Sequence, residues 1–185
     1  SHENGDIFFQ HREAANEYYE ALPAIVEHEG PVYIRLFRRQ AENVFDDDYE
    51  FDLGKADLLR DGSDVTLIAS GVCVANALQA AETLAQEGVS ARVLNIHTIK
   101  PIDADAVIKA ASETGALVTA ENHNVIGGLG SAVAEVLAEQ RPTPLERVGV
   151  KDHFGQVGKA PYLMGVFGIT AADIAKAARK AIARK

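Results

Sequence analysis

The sequence predicts an α/β fold in which a doubly wound, mostly parallel sheet carries helices on both of its faces. Short apolar runs alternate along the chain with longer segments whose apolar residues recur at helical spacing. The segments between successive runs are long enough to hold a helical crossover, which is the connection that parallel strands require. The composition, with 47% hydrophobic and 24% charged residues among 185, is ordinary for a globular domain.

The alternation is regular from Ser63 onward. It predicts four strands, at residues 65–69, 91–96, 117–120 and 145–150. It also predicts four helices, at residues 72–87, 103–112, from the glycine-rich stretch to 139, and 170–183.

Local signals mark the ends of these helices. Asp103 is expected to cap the second helix, because a short polar side chain can accept the free amides of a first turn. Thr170, three residues before Asp173, resembles a capping box for the last helix. Gly88 and Gly115 follow the first two helices, as glycine often does where a helix ends.

The first 45 residues are organised differently. Residues 7–9 and 32–36 are predicted to be strands, and residues 13–28 a helix in which Pro23 causes a kink or a break. A stretch of about 40 residues hardly buries a core alone. Residues 1–45 are therefore predicted to be the end of a domain whose body is missing from this sequence.

An acidic stretch separates this part from the regular part. Residues 46–62 are predicted to be a solvated linker, and residues 63–185 to be the α/β domain. Four aspartates and a glutamate within residues 46–52 leave a carboxylate metal site as the alternative, since hard cations prefer clustered oxygen ligands.

Charge and cysteine content exclude several classes of function. A formal net charge of −9 argues against nucleic-acid binding, which needs a basic surface. No apolar run approaches the roughly 18 residues of a transmembrane helix, so no membrane partner is expected. The single cysteine, Cys73, cannot form an intramolecular disulfide and suits a reducing cytoplasm. Cytoplasmic localisation is the resulting expectation, and Cys73 is predicted to be a small buried residue.

The glycine-rich stretch is the first candidate site. Gly127, Gly128 and Gly130 precede the third helix of the regular part, and helix N-termini bind anions through their free amides. A phosphate site is one interpretation, and a tight loop with close helix packing is the other. The stretch lacks the position and the spacing of a dinucleotide fingerprint.

Glu121 and His123 form the second candidate site, at the carboxyl end of the third strand, where α/β sheets bind ligands. A histidine there could transfer protons, or it could orient neighbours or lie at an interface. Together with His97 and His153 the pair lacks the ligand spacing of a metal motif, so no metal site is predicted.

Arg38 and Arg39 are the third candidate, just beyond the predicted strand at 32–36 that contains Arg35. The planar guanidinium suits phosphate or carboxylate groups. Pairing with the acidic run is the alternative interpretation.

Five stretches in order resemble the transketolase family, and especially the C-terminal subunit of split transketolases. They are GPVYIRL at 30–36, VTLIASG at 65–71, NIHTIKPID at 95–103, TAENHNVIGGLGSAV at 119–133 and RVGVKD at 147–152. The resemblance implies that residues 1–45 are the end of the pyrimidine-binding domain and that residues 63–185 are the C-terminal domain.

The resemblance further implies a thiamine-diphosphate enzyme that transfers a two-carbon ketol unit between sugar phosphates. The family's catalytic glutamate and metal motif have no counterpart in this sequence, so the chain is expected to bind neither cofactor nor metal and to be inactive alone. Thiamine diphosphate and magnesium would then be held by a cofactor-binding N-terminal section or subunit, and a homodimer is expected.

By the same resemblance, Arg38 or the adjacent Arg39 occupies the position of a substrate phosphate-binding arginine. Close alternatives are a fragment of a deoxyxylulose-phosphate synthase or of a 2-oxo acid dehydrogenase β subunit. An alternative of another class is a small nucleotide-binding regulatory domain that uses the glycine-rich stretch as its anion site.

Overall fold

The computed structural model describes residues 16–36, 42–46 and 48–185, with the side chains of 16–20 left out. The predicted strand at 7–9 and the two candidate arginines, Arg38 and Arg39, lie outside the described residues. The chain divides into two compact units, residues 1–53 and residues 54–185.

The first unit contains one described helix, α1 (Asn16–Glu27), which continues through Pro23 without the break that the sequence suggested. The predicted strand at 32–36 is wrong, because these residues form no regular structure in the described part of the chain. The side chain of Tyr33 is 87% exposed. An apolar run becomes a strand only where a neighbouring strand accepts its hydrogen bonds.

The second unit is built on a five-stranded sheet with the order β1-β3-β2-β4-β5. Its strands are β1 (Asp57–Arg60), β2 (Val65–Ala69), β3 (Ala91–Asn95), β4 (Leu117–Asn124) and β5 (Leu145–Val150). Neighbours among β2 to β5 are parallel, and β1 pairs antiparallel with β3 at the edge. The prediction of a mostly parallel sheet is confirmed.

Helices cover both faces of this sheet, as predicted. The covering helices are α2 (Cys73–Gln86), α3 (Ala104–Thr114), α4 (Leu129–Gln140) and α6 (Ala171–Ile182). A further helix, α5 (Ala160–Phe167), lies between β5 and α6 along the chain. Helices α2 and α6 pack against each other and the sheet, and α3 packs beside α4. Buried apolar side chains such as Ile68, Val107 and Val133 fill the layer that α3 and α4 cover.

The predicted helix ends are confirmed. Oδ1 of Asp103 accepts the backbone N–H of Ala106 at 3.0 Å, and Thr170 forms both halves of the capping box that begins α6. Gly115 adopts a left-handed φ of 67° after α3, which favours glycine there. Cys73 is fully buried, as expected.

Two elements were not predicted. Strand β1 lies inside the predicted linker at 46–62, and it is a four-residue edge strand with no alternating apolar pattern to reveal it. Helix α5 lies in an apolar run with Pro161 and Gly165, two residues that weaken a helix prediction. The three-part division of the chain into domains stays a prediction.

Candidate functional site

The site is centred on Glu121, near the carboxyl end of β4. The residue is 1% exposed. It lies on the same side of the strand as Thr119, because alternate residues of a strand share a face. A Cβ placed on Gly130 would lie 2.8 Å from Oγ1 of Thr119 and 3.0 Å from Oε1 of Glu121. Both side chains therefore point at the first turn of α4.

The carboxylate of Glu121 binds the N-terminus of α4. The backbone N–H of Leu129 donates to Oε2 at 2.9 Å, and the backbone N–H of Gly130 donates to Oε1 at 2.8 Å. These amides belong to the first turn of a helix, where they have no intrahelical partner. The chain's own carboxylate thus occupies the anion position that the sequence analysis considered for an external phosphate.

The glycines of this loop are needed for the contact. A Cβ on Gly128 would lie 1.9 Å from Oε2 of Glu121, which is far inside contact distance. Gly127 adopts a φ of 76°, a left-handed conformation that favours glycine, and its N–H donates to Oγ of Ser131 at 2.9 Å. The structure favours the tight-loop interpretation of this stretch.

Strand β5 supplies parts of the site that the sequence analysis did not single out. Nη1 of Arg147 donates to the backbone oxygen of Val125 at 3.0 Å. A Cβ on Gly149 would lie 2.9 Å from Cγ1 of Val125 and 3.0 Å from Cγ of Glu121. No local pattern reveals these contacts, because they depend on the pairing of β4 with β5.

The charge of Glu121 is held in an unfavourable environment. Burial raises the pKa of its carboxyl above the ordinary value for glutamate, and this effect is larger than the opposing ones. The N–H groups of Gly130 and Leu129 lower the pKa, as do the positive charges of His123 and Arg147. A carboxyl with a raised pKa can exchange a proton nearer to neutral pH than an ordinary glutamate.

His123 is exposed at the end of β4, and its Nδ1 lies 2.9 Å from the backbone oxygen of Asn124. Since that oxygen can only accept, Nδ1 carries the proton. The ring shares no hydrogen bond with Glu121 within the described residues, so the structure unites Glu121 with Gly128 and Gly130 but leaves His123 at the surface.

The other histidine after a strand, His97, lies elsewhere. Its Nδ1 is 2.8 Å from Oγ1 of Thr98, and its Nε2 is 3.9 Å from Oδ2 of Asp57 on β1. In the part of the chain that the structure describes, no three His, Cys, Asp or Glu side chains form a group that could hold a metal ion. Nor does any helix there have the length and apolar character to span a membrane.

Comparison with known proteins agrees with this architecture. The family model described as transketolase, C-terminal domain, matches residues 54–174, which is more than half of the chain. This chain belongs to the transketolase family and corresponds to its C-terminal part.

Three relatives show how the chain relates to whole proteins. It is 57% identical over 165 residues to a 6-deoxy-6-sulfo-D-fructose transketolase subunit of Clostridium sp. strain MSTE9, covering 89% of this chain and 51% of that protein. It is 38% identical to a 1-deoxy-D-xylulose-5-phosphate synthase of Geobacter sulfurreducens, covering 92% of this chain and 27% of that protein.

The third relative is a solved structure, a split-gene transketolase described as an inactive beta4 tetramer. It is 47% identical with a TM-score of 0.84, and the match covers 87% of this chain and 53% of that one. The chain thus spans about half the length of the subunit-type relatives that it matches.

Proposed function

We propose that this chain is the C-terminal section of a thiamine-diphosphate-dependent transketolase that transfers a two-carbon ketol unit between sugar phosphates. The observation that carries the proposal is the family match over residues 54–174 in a chain that spans half of a transketolase subunit. The chain is inactive alone, and thiamine diphosphate and magnesium bind the cofactor-binding section or subunit of the same enzyme.

The glycine-rich stretch supports a cofactor site outside this chain, because its backbone N–H groups do not fit a diphosphate. The N–H groups of Leu129 and Gly130 already donate to Glu121, whose negative charge would repel a phosphate. The same contact argues against the nucleotide-binding alternative, since that site would need these amides. Micromolar binding of ATP, AMP or NAD in isothermal titration would contradict this assignment.

The exposed face of the loop has a different role in this proposal. Glu121 fixes the backbone at 128–130, and the adjoining residues His123 and Ile126 are exposed, with Ile126 63% accessible. Rigid loops at the carboxyl edge of a sheet are suited to contact another part of an assembly. The loop therefore serves as an interface with the rest of the enzyme.

Residues 1–45 are the end of the pyrimidine-binding domain in this proposal. Support comes from apolar side chains that the described chain leaves exposed, among them Val26 at 81% and Tyr33 at 87%. A domain body packed on them would bury this surface.

Arg38, or the adjacent Arg39, binds the substrate phosphate in this proposal, which rests on the resemblance of the sequence around them. A guanidinium would also bind a sulfonate, the group in the substrate name of the 57% identical relative. The name of the deoxyxylulose-phosphate synthase alternative also contains a phosphate group. An arginine that binds phosphate therefore does not discriminate between the two enzymes.

Reconstitution tests the proposal. The chain is mixed with a cofactor-binding section that includes a complete pyrimidine domain, and ketol transfer is measured with thiamine diphosphate and magnesium. Activity of the mixture, with none from either part, is expected. Turnover by this chain alone would contradict the assignment, and pyruvate-dependent synthesis of deoxyxylulose phosphate would favour the alternative enzyme.

A variant of the reconstituted enzyme tests the anion contact. Arg38→Ala should weaken phosphorylated donors by about 1.5–3 kcal/mol in kcat/KM, because it removes a charge-assisted hydrogen bond. Arg35→Ala is the matched control, three residues earlier. Equal losses on phosphorylated and unphosphorylated donors would exclude the role.

A further inference from the structure

Asp61 and Gly62 form the single Asp–Gly pair of the sequence, and they lie in the connection between β1 and β2. The side chain of Asp61 is 73% exposed. The backbone N–H of Gly62 donates to Oδ1 of Asp61 at 2.8 Å, so the amide nitrogen lies beside the carboxyl carbon of the preceding residue. Reactions within one molecule are fast where the reacting atoms are held close together. The pair therefore places a nucleophile and an electrophile side by side at the surface.

Packing keeps a glycine at position 62. A Cβ there would lie 2.4 Å from the backbone nitrogen of Arg92 and 2.4 Å from the carbonyl carbon of Ala91. Both atoms belong to β3, which pairs with β1 and β2, so neither moves aside without disturbing the sheet. Since glycine has no side chain, it also leaves its own nitrogen unhindered toward the Asp61 carboxyl. The close approach of β3 thus maintains the residue that makes the pair reactive.

Arg92 holds the Asp61 carboxyl in its unreactive form. Its Nε and Nη2 donate to Oδ1 of Asp61 at 3.0 and 2.8 Å, and its Nη1 donates to Oε2 of Glu113 on α3. The N–H of Gly62 and then the Arg92 guanidinium lower the pKa of the Asp61 carboxyl below its ordinary value, and the charge of Lys109 on α3 acts in the same direction. An ionised carboxylate is a poor electrophile, because it would have to expel an oxide ion rather than water.

We propose that Asp61–Gly62 is a site of spontaneous aspartate isomerisation, which Arg92 restrains. The nitrogen of Gly62 forms a bond to Cγ of the neutral Asp61 acid, and the N–H proton and the carboxyl hydroxyl leave together as one water. Water then adds to the backbone carbonyl carbon of Asp61 in the cyclic imide and breaks its bond to that nitrogen. The product is isoaspartate, in which the chain runs through the side chain and the former backbone carbonyl becomes the free carboxylate. Water is the only co-reactant, and nothing is oxidised or reduced.

Isomerisation changes the contacts at the β1 edge of the sheet. The extra backbone carbon of isoaspartate moves Gly62 away from β3 and takes the carboxylate off the Arg92 guanidinium. The contact between Asp64 and Ser90, where the carboxylate accepts the backbone N–H at 2.7 Å, then remains to join this connection to the residue before β3. The isomerised chain is therefore less stable at this edge, and this outcome does not depend on the proposed ketol transfer.

Peptide mapping of the folded 185-residue chain during incubation at physiological temperature tests the proposal. Mapping by position is needed because Asn4–Gly5 is subject to the same chemistry. Isoaspartate at position 61 should accumulate, and faster at mildly acidic than at neutral pH, because the neutral acid is the reactive form. The same chain unfolded in guanidinium chloride should react faster at neutral pH, since the Arg92 contact is lost. Asp61→Glu should abolish the product at this position, because the longer side chain would have to close a larger ring.

Arginine variants test the restraint. Arg92→Gln should raise the isomerisation rate at neutral pH about two- to fivefold, the range that the coupling of an exposed ion pair allows. Arg92→Lys, which keeps the charge, should restore part of the restraint. Arg184→Gln is the matched control, because Arg184 pairs with Glu146 on β5, at the opposite edge of the sheet from β1, and it should leave the rate unchanged.

Glu113→Gln keeps the test independent of folding. It weakens the contact of Arg92 with α3 but leaves the guanidinium on Asp61, so it should slow isomerisation or leave it unchanged. Equal acceleration by Arg92→Gln and Glu113→Gln would show that loosened packing sets the rate, and it would overturn the restraint, as would an unchanged rate in Arg92→Gln. A folded chain that forms no isoaspartate at position 61, over a time in which the unfolded chain converts, would overturn the site itself.

Discussion

At the N-termini of both α4 and α6, a side-chain oxygen accepts hydrogen bonds from backbone N–H groups of the first turn. The two helices differ in how far along the chain the accepting residue lies from the amides it binds. In α6 the hydroxyl of Thr170 accepts the N–H of Asp173 at 3.3 Å, three residues away. In α4 the carboxylate of Glu121 accepts the N–H groups of Leu129 and Gly130, eight and nine residues away. The first contact is local and half-buried, whereas the second crosses a loop and is buried.

The difference shows what each cap contributes. The Thr170 cap belongs to its own helix and satisfies a backbone N–H of the first turn of that helix. The Glu121 contact joins β4 to α4 and holds the loop between them against β5 through the packing of Gly149. Breaking the first should therefore affect one helix end, while breaking the second should loosen the whole carboxyl edge of the sheet at that point.

The largest expected effect comes from Gly128→Ala. The added Cβ would lie 1.9 Å from Oε2 of Glu121 and 2.8 Å from the backbone oxygen of Asn124, so the carboxylate and the loop must move. We expect a loss of about 3–4 kcal/mol in the free energy of unfolding, measured in urea. Gly155→Ala, where no described atom lies within 4 Å, is the control and should be nearly neutral. Similar small effects for both variants would mean that the loop is not constrained by Glu121.

Removing the carboxylate should have the next largest effect. Glu121→Ala leaves the amides of Leu129 and Gly130 buried without an acceptor, which should cost about 2–3 kcal/mol. Glu121→Gln should cost less, since one amide oxygen still accepts and no charge is buried. Hydrogen exchange at the two amides should accelerate in the alanine variant. Unchanged exchange there would contradict the contact.

The local cap should contribute least to stability. Thr170→Ala removes one half of the capping box, with an expected cost of about 1 kcal/mol, and Thr170→Ser should restore most of it. Faster exchange should be confined to the first turn of α6. If the effect equalled that of Glu121→Ala, the contrast between local and long-range caps would fail.

The pH dependence is the smallest and most specific effect. Because the pKa of Glu121 is raised in the folded state, the folded chain binds its proton more readily than the unfolded chain does. The resulting stability is present below the ordinary glutamate pKa of about 4.3 and is lost as the pH rises through the folded value. Relative to Glu121→Gln, the unmodified chain should thus gain stability as the pH falls through that window. A gain in the opposite direction would show that the amide donors outweigh burial.

Most elements of the regular part were predictable because their signals are local. Strands β2 and β3 are short, mostly apolar runs, and β5 ends in the apolar residues Val148 and Val150. The N-termini of α3 and α6 carry capping residues within one turn. The length of β4 was underestimated. The sequence predicted a strand only at 117–120, because Glu121 to Asn124 are polar, but β4 continues to Asn124, which pairs with Val150 of β5. The predicted strand at 32–36 failed for the reverse reason, because an apolar run forms a ladder only with a neighbouring strand, and no described strand pairs with it.

The candidate site was predictable in its residues but not in its arrangement. Glu121, Gly128 and Gly130 were singled out from the position of a strand end and from a glycine-rich helix start, and the structure brings them together. The sequence left open whether those amides faced an external anion. Two hydrogen bonds to a buried carboxylate decide that question, and no periodicity encodes them.

The sequence by itself determined the alternation of strands and helices and the local caps. These follow from side-chain periodicity and from contacts within a turn of the chain. Only the tertiary structure decided that β1 joins the sheet antiparallel, and that Arg147 and Gly149 complete the Glu121 loop. Those features arise from the pairing of residues distant in sequence, whose free energy depends on packing geometry rather than on any local pattern.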